Sequence, residues 1–128
     1  MPTQTRNPHF TIRPATIEDA GLILRFIREL ADYEKLLHEV IADEATLKQS
    51  LFGETPYAKV VIGEYNGVAV SFALYFHNFS TFLGRPGIYL EDLYVQPTMR
   101  GKGLGKILLG YLASLAIELN CGRLEWWV

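Results

Sequence analysis

Between two apolar runs, Ile88 to Val95 and Leu104 to Leu119, the sequence reads Arg100-Gly101-Lys102-Gly103-Leu104-Gly105-Lys106. The first run is β-rich and is stopped by Pro97. The second carries Leu104, Ile107, Leu108, Tyr111, Leu112, Leu115 and Leu119 at helical spacing. Strand, glycine-rich turn and amphipathic helix, in that order, constrain this chain more than any other feature. Closely spaced glycines let successive backbone N–H groups point into one concavity, because no Cβ blocks close approach. The helix beginning near Gly103 adds its positive end and its unpaired donors, which suits a pyrophosphate. Arg100, Lys102 and Lys106 gather positive charge here, although the whole chain has a formal charge of −2. A slightly acidic chain offers no general attraction to nucleic acid or anionic lipid, so phosphate has to be met locally.

The rest of the chain supplies a frame for that turn. His9 to Arg13 reads as a short first strand ended by Pro14. Thr16 opens a helix, with Asp19 as an acidic variant of the capping box. Ala20, Ile23, Leu24, Ile27, Leu30 and Ala31 define its buried face. A second short helix follows Asp43 and stops at Gly53, where a left-handed cap is expected. Ala58 to Glu64 and Val68 to His77 are strands joined by Asn66-Gly67, a strong hairpin-turn signal. Asn78 to Gly87 reads as a loop, with Gly84, Pro86 and Gly87 as breakers. Asn120-Cys121-Gly122 closes the long helix, and Arg123 to Val128 begins a further strand. Residues 1–8 are expected to form a flexible N-terminus and 9–128 a single domain; 128 residues suffice for one core but not two. The expected class is α/β (α+β), a mixed, mostly antiparallel sheet flanked by helices.

Three phosphate-loop patterns compete for the turn, beside a tight strand-to-helix turn that holds no ligand. A P-loop needs four residues between its glycines and a hydroxyl after the lysine; Gly101 and Gly105 are one residue too close, and Ile107 follows Lys106. In a dinucleotide fingerprint the third glycine would come one residue later, and the motif would follow the first strand rather than the fourth. The third pattern fits. Val95-x-x-x-x-Arg100-Gly101-x-Gly103-Leu104-Gly105 resembles the signature of the GCN5-related N-acetyltransferases, in which R-x-x-G-x-G/A holds the coenzyme A pyrophosphate. Ile12-Arg13-Pro14-Ala15-Thr16, Glu29-Leu30-Ala31-x-Tyr33-Glu34 and Tyr89-Leu90-Glu91-Asp92-Leu93-Tyr94-Val95 are similar to the diamine acetyltransferase branch, which acts on spermidine, spermine and thialysine. The resemblance runs from about Phe10 to Val128.

That resemblance implies a fold, a co-substrate and roles. Acetyl-CoA would be the acetyl donor and a small cationic amine the acceptor. Backbone groups of Leu93, Tyr94 and Val95 would meet the pantetheine arm, where the strands before and after the signature splay apart. The turn Arg100, Gly101, Lys102, Gly103, Leu104, Gly105 and Lys106 would hold the pyrophosphate. Further coenzyme contacts would fall on Glu125, Trp126 and Trp127. Glu91 matches the branch carboxylate that binds the amine and helps remove its proton. Such help is needed, since an alkyl amine with a pKa near 10.4 is only about one part in a thousand free base at neutral pH. Asp92 would face away from Glu91 on a regular strand, unless a bulge intervenes. Tyr33 and Glu34 match substrate-contacting positions. They lie in an acidic stretch, where Glu29, Asp32, Glu34, Glu39, Asp43 and Glu44 outnumber the single Lys35.

The family's downstream segment, whose tyrosine protonates the departing thiolate, follows the point at which this sequence stops. A non-catalytic coenzyme-binding or interaction module is therefore the alternative to an enzyme. Trp126, Trp127 and Val128 on a strand with no following neighbour suggest a homodimer, the usual state of the branch. Metal, nucleic acid and membrane are not expected. His9, His38 and His77 lack companions at ligand spacing, no basic surface supports base stacking, and no run approaches the roughly 18–20 apolar residues of a membrane span. Polar residues from Met1 to His9 and the single Cys121 suit a cytoplasmic protein.

Overall fold

The computed structural model describes residues 2–126. Six strands form one sheet in chain order, β1 (Thr3–Gln4), β2 (Phe10–Pro14), β3 (Lys59–Tyr65), β4 (Val68–Ser80), β5 (Arg85–Val95) and β6 (Leu124–Trp126). Every neighbouring pair is antiparallel except β5 and β6, which run parallel. Helices α1 (Ala20–Tyr33) and α2 (Glu44–Phe52) connect β2 to β3, and α3 (Leu104–Glu118) makes the crossover from β5 to β6. The expected mixed sheet with flanking helices is the observed one. Among the described residues no helix is long and apolar enough to cross a membrane.

Alternation along the strands divides the core in two. Phe10, Ile12, Val61, Val70, Ala73, Ile88 and Leu90 pack with Leu104, Leu108, Leu112 and Ala116 of α3. Val60, Ile62, Phe72 and Tyr94 pack on the other face with Ile23, Leu24, Phe26, Leu47 and Leu51 of α1 and α2. Phe26 was not on the apolar face read from the sequence, yet it is fully buried and stacks on Phe72 at 5.9 Å. Leu119, expected on the buried face of α3, is half exposed beyond its end.

The junction from β2 to α1 is tied by charge. Arg13 donates to both carboxylate oxygens of Asp19, at 2.8 and 2.9 Å, and to Glu64 at 3.1 Å. The Thr16 N–H donates to Asp19 at 2.7 Å, as the capping-box spacing requires. The Arg13 guanidinium holds the Asp19 carboxyl below its usual range. A short 3-10 turn, Ile17–Asp19, intervenes before α1 begins.

Three details depart from the sequence reading. Within residues 1–8, where a flexible N-terminus is expected, Thr3–Gln4 pairs with Thr11 and Ile12, and Thr5 Oγ1 donates to Phe10 O at 2.7 Å. Gly53 ends α2 at φ −76°, so no left-handed cap is present. Glycine is needed there because a Cβ would collide with the Gln49 carbonyl. The stretch from Asn78 to Gly87 is mostly strand: β4 and β5 continue to a tight turn, with Asn78 opposite Gly87 and Phe79 opposite Pro86. Gly87 serves close packing, since a Cβ would run into the Asn78 side chain. The C-terminal strand is described over Leu124–Trp126, and its expected continuation through Trp127 and Val128 lies outside the described residues.

Gly63 yields a direct test of this packing. It sits where the β3–β4 register shifts, and a Cβ would clash with Ser71 Oγ and the Phe10 ring, both fully buried. Gly63→Ala is expected to cost about 1–3 kcal/mol, read from denaturant unfolding. An unchanged midpoint would show that the pocket opens more easily than its burial implies.

Candidate active site

The glycine turn follows β5 through a single 3-10 turn, Pro97–Met99. Gly101 and Gly103 adopt φ of 85° and 72°, which side chains with a Cβ rarely tolerate, and both face open space. Gly105 has an ordinary conformation inside α3, where a Cβ would only touch Leu93 and Val95. Arg100 N–H bonds back to Pro97 O at 3.2 Å, and Ile107 N–H to Gly103 O at 3.1 Å. Between them, among the described residues, the N–H groups of 101–106 meet no backbone carbonyl. Gly103 caps α3 without any side-chain bond, so the donors and the helix's positive end remain available to an anion. Lys102 Nζ lies 5.3 Å from the Tyr65 ring, and Arg100 Cζ lies 4.6 Å from the Tyr33 ring. These residues fit a pyrophosphate.

The acidic half of the site is built by a bulge. Leu74 pairs with Asp92, but Tyr75 pairs with Leu90, so Glu91 is the extra residue on β5. The effect on side chains is a change of parity. Ile88 and Leu90 belong to the α3 side of the core, and so do Leu93 and Val95, while Tyr94 packs on the α1 side. Asp92 shares the parity of Tyr94 and therefore leaves the α3 face. Without the bulge it would be driven under α3 with Leu90.

Glu91 is exposed and Asp92 is partly buried. Burial pushes the Asp92 carboxyl up to about 6, and the negative charges of Glu91 and Glu34 add to the shift. Three carboxylates are thus within electrostatic reach at the C-terminal end of α1 and the middle of β5. Asp92 is expected to face away from Glu91 on a regular strand, and the bulge is what changes its side. The signal was the Glu-Asp pair itself, whose regular alternation only a bulge could override.

Not all the acids of the 29–44 stretch are free for a cation. Glu29 accepts from the Tyr94 hydroxyl at 2.7 Å and from Gln96 at 3.3 Å, Asp43 caps α2 through Thr46 N–H at 2.7 Å, and Glu44 faces Lys48 at 3.5 Å. Asp32, Glu34 and Glu39 make no ion pair or side-chain hydrogen bond among the described residues. Burial and the bond to Glu29 push the Tyr94 hydroxyl up to about 12, so it stays a neutral donor.

On β6, Glu125 accepts from Asn78 at 2.9 Å and pairs with Arg123 at 3.2 Å. The described β6 lies beside Ile88 to Leu90, upstream of Glu91, with Trp126 opposite Leu90. The expected contact at Trp127 lies outside the described residues. A cavity of about 680 Å³ lies between residues 3–6 and the Lys106-to-Glu118 side of α3 and shares only Lys106 with the turn. It contains none of the three carboxylates.

A profile described as the acetyltransferase (GNAT) family matches residues 24–128. The chain belongs to this family. Its chemistry is acetyl transfer to an amine. A thialysine N-epsilon-acetyltransferase from Bos taurus is 42% identical over 122 residues, covering 89% of this chain and 71% of that protein. A human spermidine/spermine N(1)-acetyltransferase-like protein is 33% identical and covers 98% of this chain but 19% of its own length. Among solved structures, an integron cassette protein from the mobile metagenome of V. cholerae superposes with a TM-score of 0.75 at 30% identity, over 94% of this chain and 75% of that one. The resemblance to the diamine branch is therefore matched by relatives of that kind.

Proposed function

We propose that this acetyltransferase takes its acetyl group from acetyl-CoA and transfers it to a primary amine of a small cation, a polyamine or a lysine-like amino acid. The observation that carries the reading is the proximity of two unlike charge fields. A cationic turn with unpaired N–H groups ends β5, and a cluster of carboxylates, Glu34, Glu91 and Asp92, gathers around its middle.

Acetyl-CoA supplies an activated thioester. Gly101 to Lys106 hold its pyrophosphate through backbone donors and the start of α3, and Leu93, Tyr94 and Val95 meet its pantetheine arm. Arg100 and Lys102 add charge at the rim. Glu91 and Asp92 bind the alkylammonium and one of them takes up a proton, so that the amine nitrogen can attack the thioester carbon. The C–N bond forms as the C–S bond breaks, and the second amine proton ends on the departing sulfur, which leaves as the coenzyme thiol. A carboxylate held near 6 is a stronger base than an ordinary one, yet is still mostly ionised at neutral pH. Glu34 stands on the amine side of the site, within electrostatic reach of Asp92. The names of the thialysine and spermidine/spermine relatives support the choice of substrate class. A cytosolic setting, in which the thiol of Cys121 stays reduced, suits this reading.

Two measurements test it. Isothermal titration with coenzyme A is expected to show binding without metal; a folded sample that binds none overturns the reading. An acetylation assay on polyamines, thialysine, aminoglycosides and a basic peptide is expected to favour the first two. Turnover of the peptide alone would reject the small-amine assignment, and binding without any turnover would favour a non-catalytic coenzyme-binding module.

The same reading includes a homodimer. Phe79, Phe82 and Leu83, around the β4–β5 turn, are 62%, 101% and 53% exposed, and Trp126 on the neighbouring β6 is 49% exposed. A second copy would bury such side chains. Sedimentation at tens of micromolar is the check, with a monomer as the contrary result.

A further inference from the structure

Glu29 and Tyr33 stand four residues apart on α1, one turn along the same face. They reach the two ends of the segment that leads into the glycine turn. Glu29 Oε1 holds the Tyr94 hydroxyl at 2.7 Å and Gln96 Nε2 at 3.3 Å, and its other oxygen lies 3.6 Å from Arg25. Tyr33 presents its ring to the Arg100 guanidinium, with Cζ 4.6 Å from the ring centre. Tyr94 is fixed by burial as well, since it packs against Phe26 and Phe72. Arg100 is not. It is exposed, its side chain makes no hydrogen bond or ion pair among the described residues, and Gly101 at φ 85° follows it. The Tyr33 ring is the one aromatic surface against which that guanidinium is placed among the described residues.

We propose that Tyr33 is a positioning residue for the coenzyme: by stacking under Arg100 it holds the guanidinium at the mouth of the pyrophosphate turn. The inference rests on the coenzyme reading above and reassigns a tyrosine that resemblance had placed against the amine. The physical reason is preorganisation. An arginine has many rotamers, and a guanidinium already stacked on a ring loses less freedom when it meets an anion. A planar cation can keep its π contact while its N–H edge points elsewhere. Coenzyme affinity thereby depends on α1, the helix that also ends beside Glu34.

A double-mutant cycle tests this, with coenzyme A as the titrant and Tyr33→Phe, Tyr33→Ala, Arg100→Ala and the Tyr33→Ala/Arg100→Ala pair as variants. Tyr33→Ala is expected to weaken binding about two- to fivefold, the usual strength of an exposed cation–π contact. Tyr33→Phe keeps the ring and should bind like the parent. In the Arg100→Ala background, removing Tyr33 should have no further effect. Tyr33 is 62% exposed, so melting temperatures are expected to hold across the series. Unaltered affinity in Tyr33→Ala, or an equal loss with and without Arg100, overturns the proposal alone. No binding by the parent chain overturns the coenzyme reading and this proposal with it.

Discussion

Asp92→Asn is expected to lower kcat/KM by about 100-fold or more while raising the melting temperature. The loss follows from removing a proton acceptor, which is worth about 10²–10⁴ in rate where a general base operates. The gain in stability follows from the same shift. Burial raises the Asp92 carboxyl to about 6, with Glu91 and Glu34 contributing, so the folded protein binds that proton more tightly than the unfolded chain does. A carboxyl raised in this way favours the folded state below its unfolded value near 3.8, and that contribution is lost as pH rises through about 6. At neutral pH the ionised Asp92 is therefore a burden, of order 1–3 kcal/mol, that asparagine does not carry. The pH profile separates the two acids. The parent should lose kcat/KM below about pH 6; Glu91→Gln should keep that limb and Asp92→Asn should lose it. A stabilised variant with full activity would show that Asp92 is a packing accident rather than part of the site.

Phe72→Ala is expected to cost about 3–5 kcal/mol, or about 10–20 °C in melting temperature for a domain of this size. Phe72 is fully buried on β4, 5.9 Å from Phe26 on α1 and 6.4 Å from Tyr94 on β5. Its removal opens a cavity at the point where α1 is fastened to β5. Coenzyme binding should weaken as well, because Tyr94 would lose the packing that aims its hydroxyl at Glu29. A melting temperature within a few degrees of the parent would mean that α1 can slide inward to refill the space.

The order of elements was written plainly in the chain. Asn66-Gly67 turns the β3–β4 hairpin with φ of 51° and 81°, the values such a turn demands. Asp43 caps α2 by accepting from Thr46 N–H, and Asp19 reaches back to the Thr16 N–H from the third capping-box position. Leu104, Leu108 and Leu112 face the core at helical spacing. Local rules suffice in these cases, because each depends on atoms only a few residues apart. The glycine turn belongs with them. Its positive φ values are demanded by Gly101 and Gly103 themselves, and its unpaired donors follow from where α3 begins.

Tertiary structure decided the rest, and it did so where distant residues compete for one space. Gly87 and Pro86 read as breakers, yet they sit in β5, where lack of a Cβ and of an N–H is accommodated beside Asn78 and at the strand's start. Phe26 fell off the apolar stripe but meets Phe72, nearly fifty positions away in sequence. Glu29 looked like one acid among six at a substrate rim, until the fold brought Tyr94 and Gln96 to it. The bulge at Glu91 is the most consequential of these decisions. Alternation along β5 would have hidden Asp92 under α3, but one extra residue opposite Leu74 and Tyr75 turns it toward Glu34. Sequence determined which residues carry charge and where the chain turns. The pairing of β5 with β4 determined on which side of the sheet Asp92 lies, because register is a property of two strands and is written in neither alone.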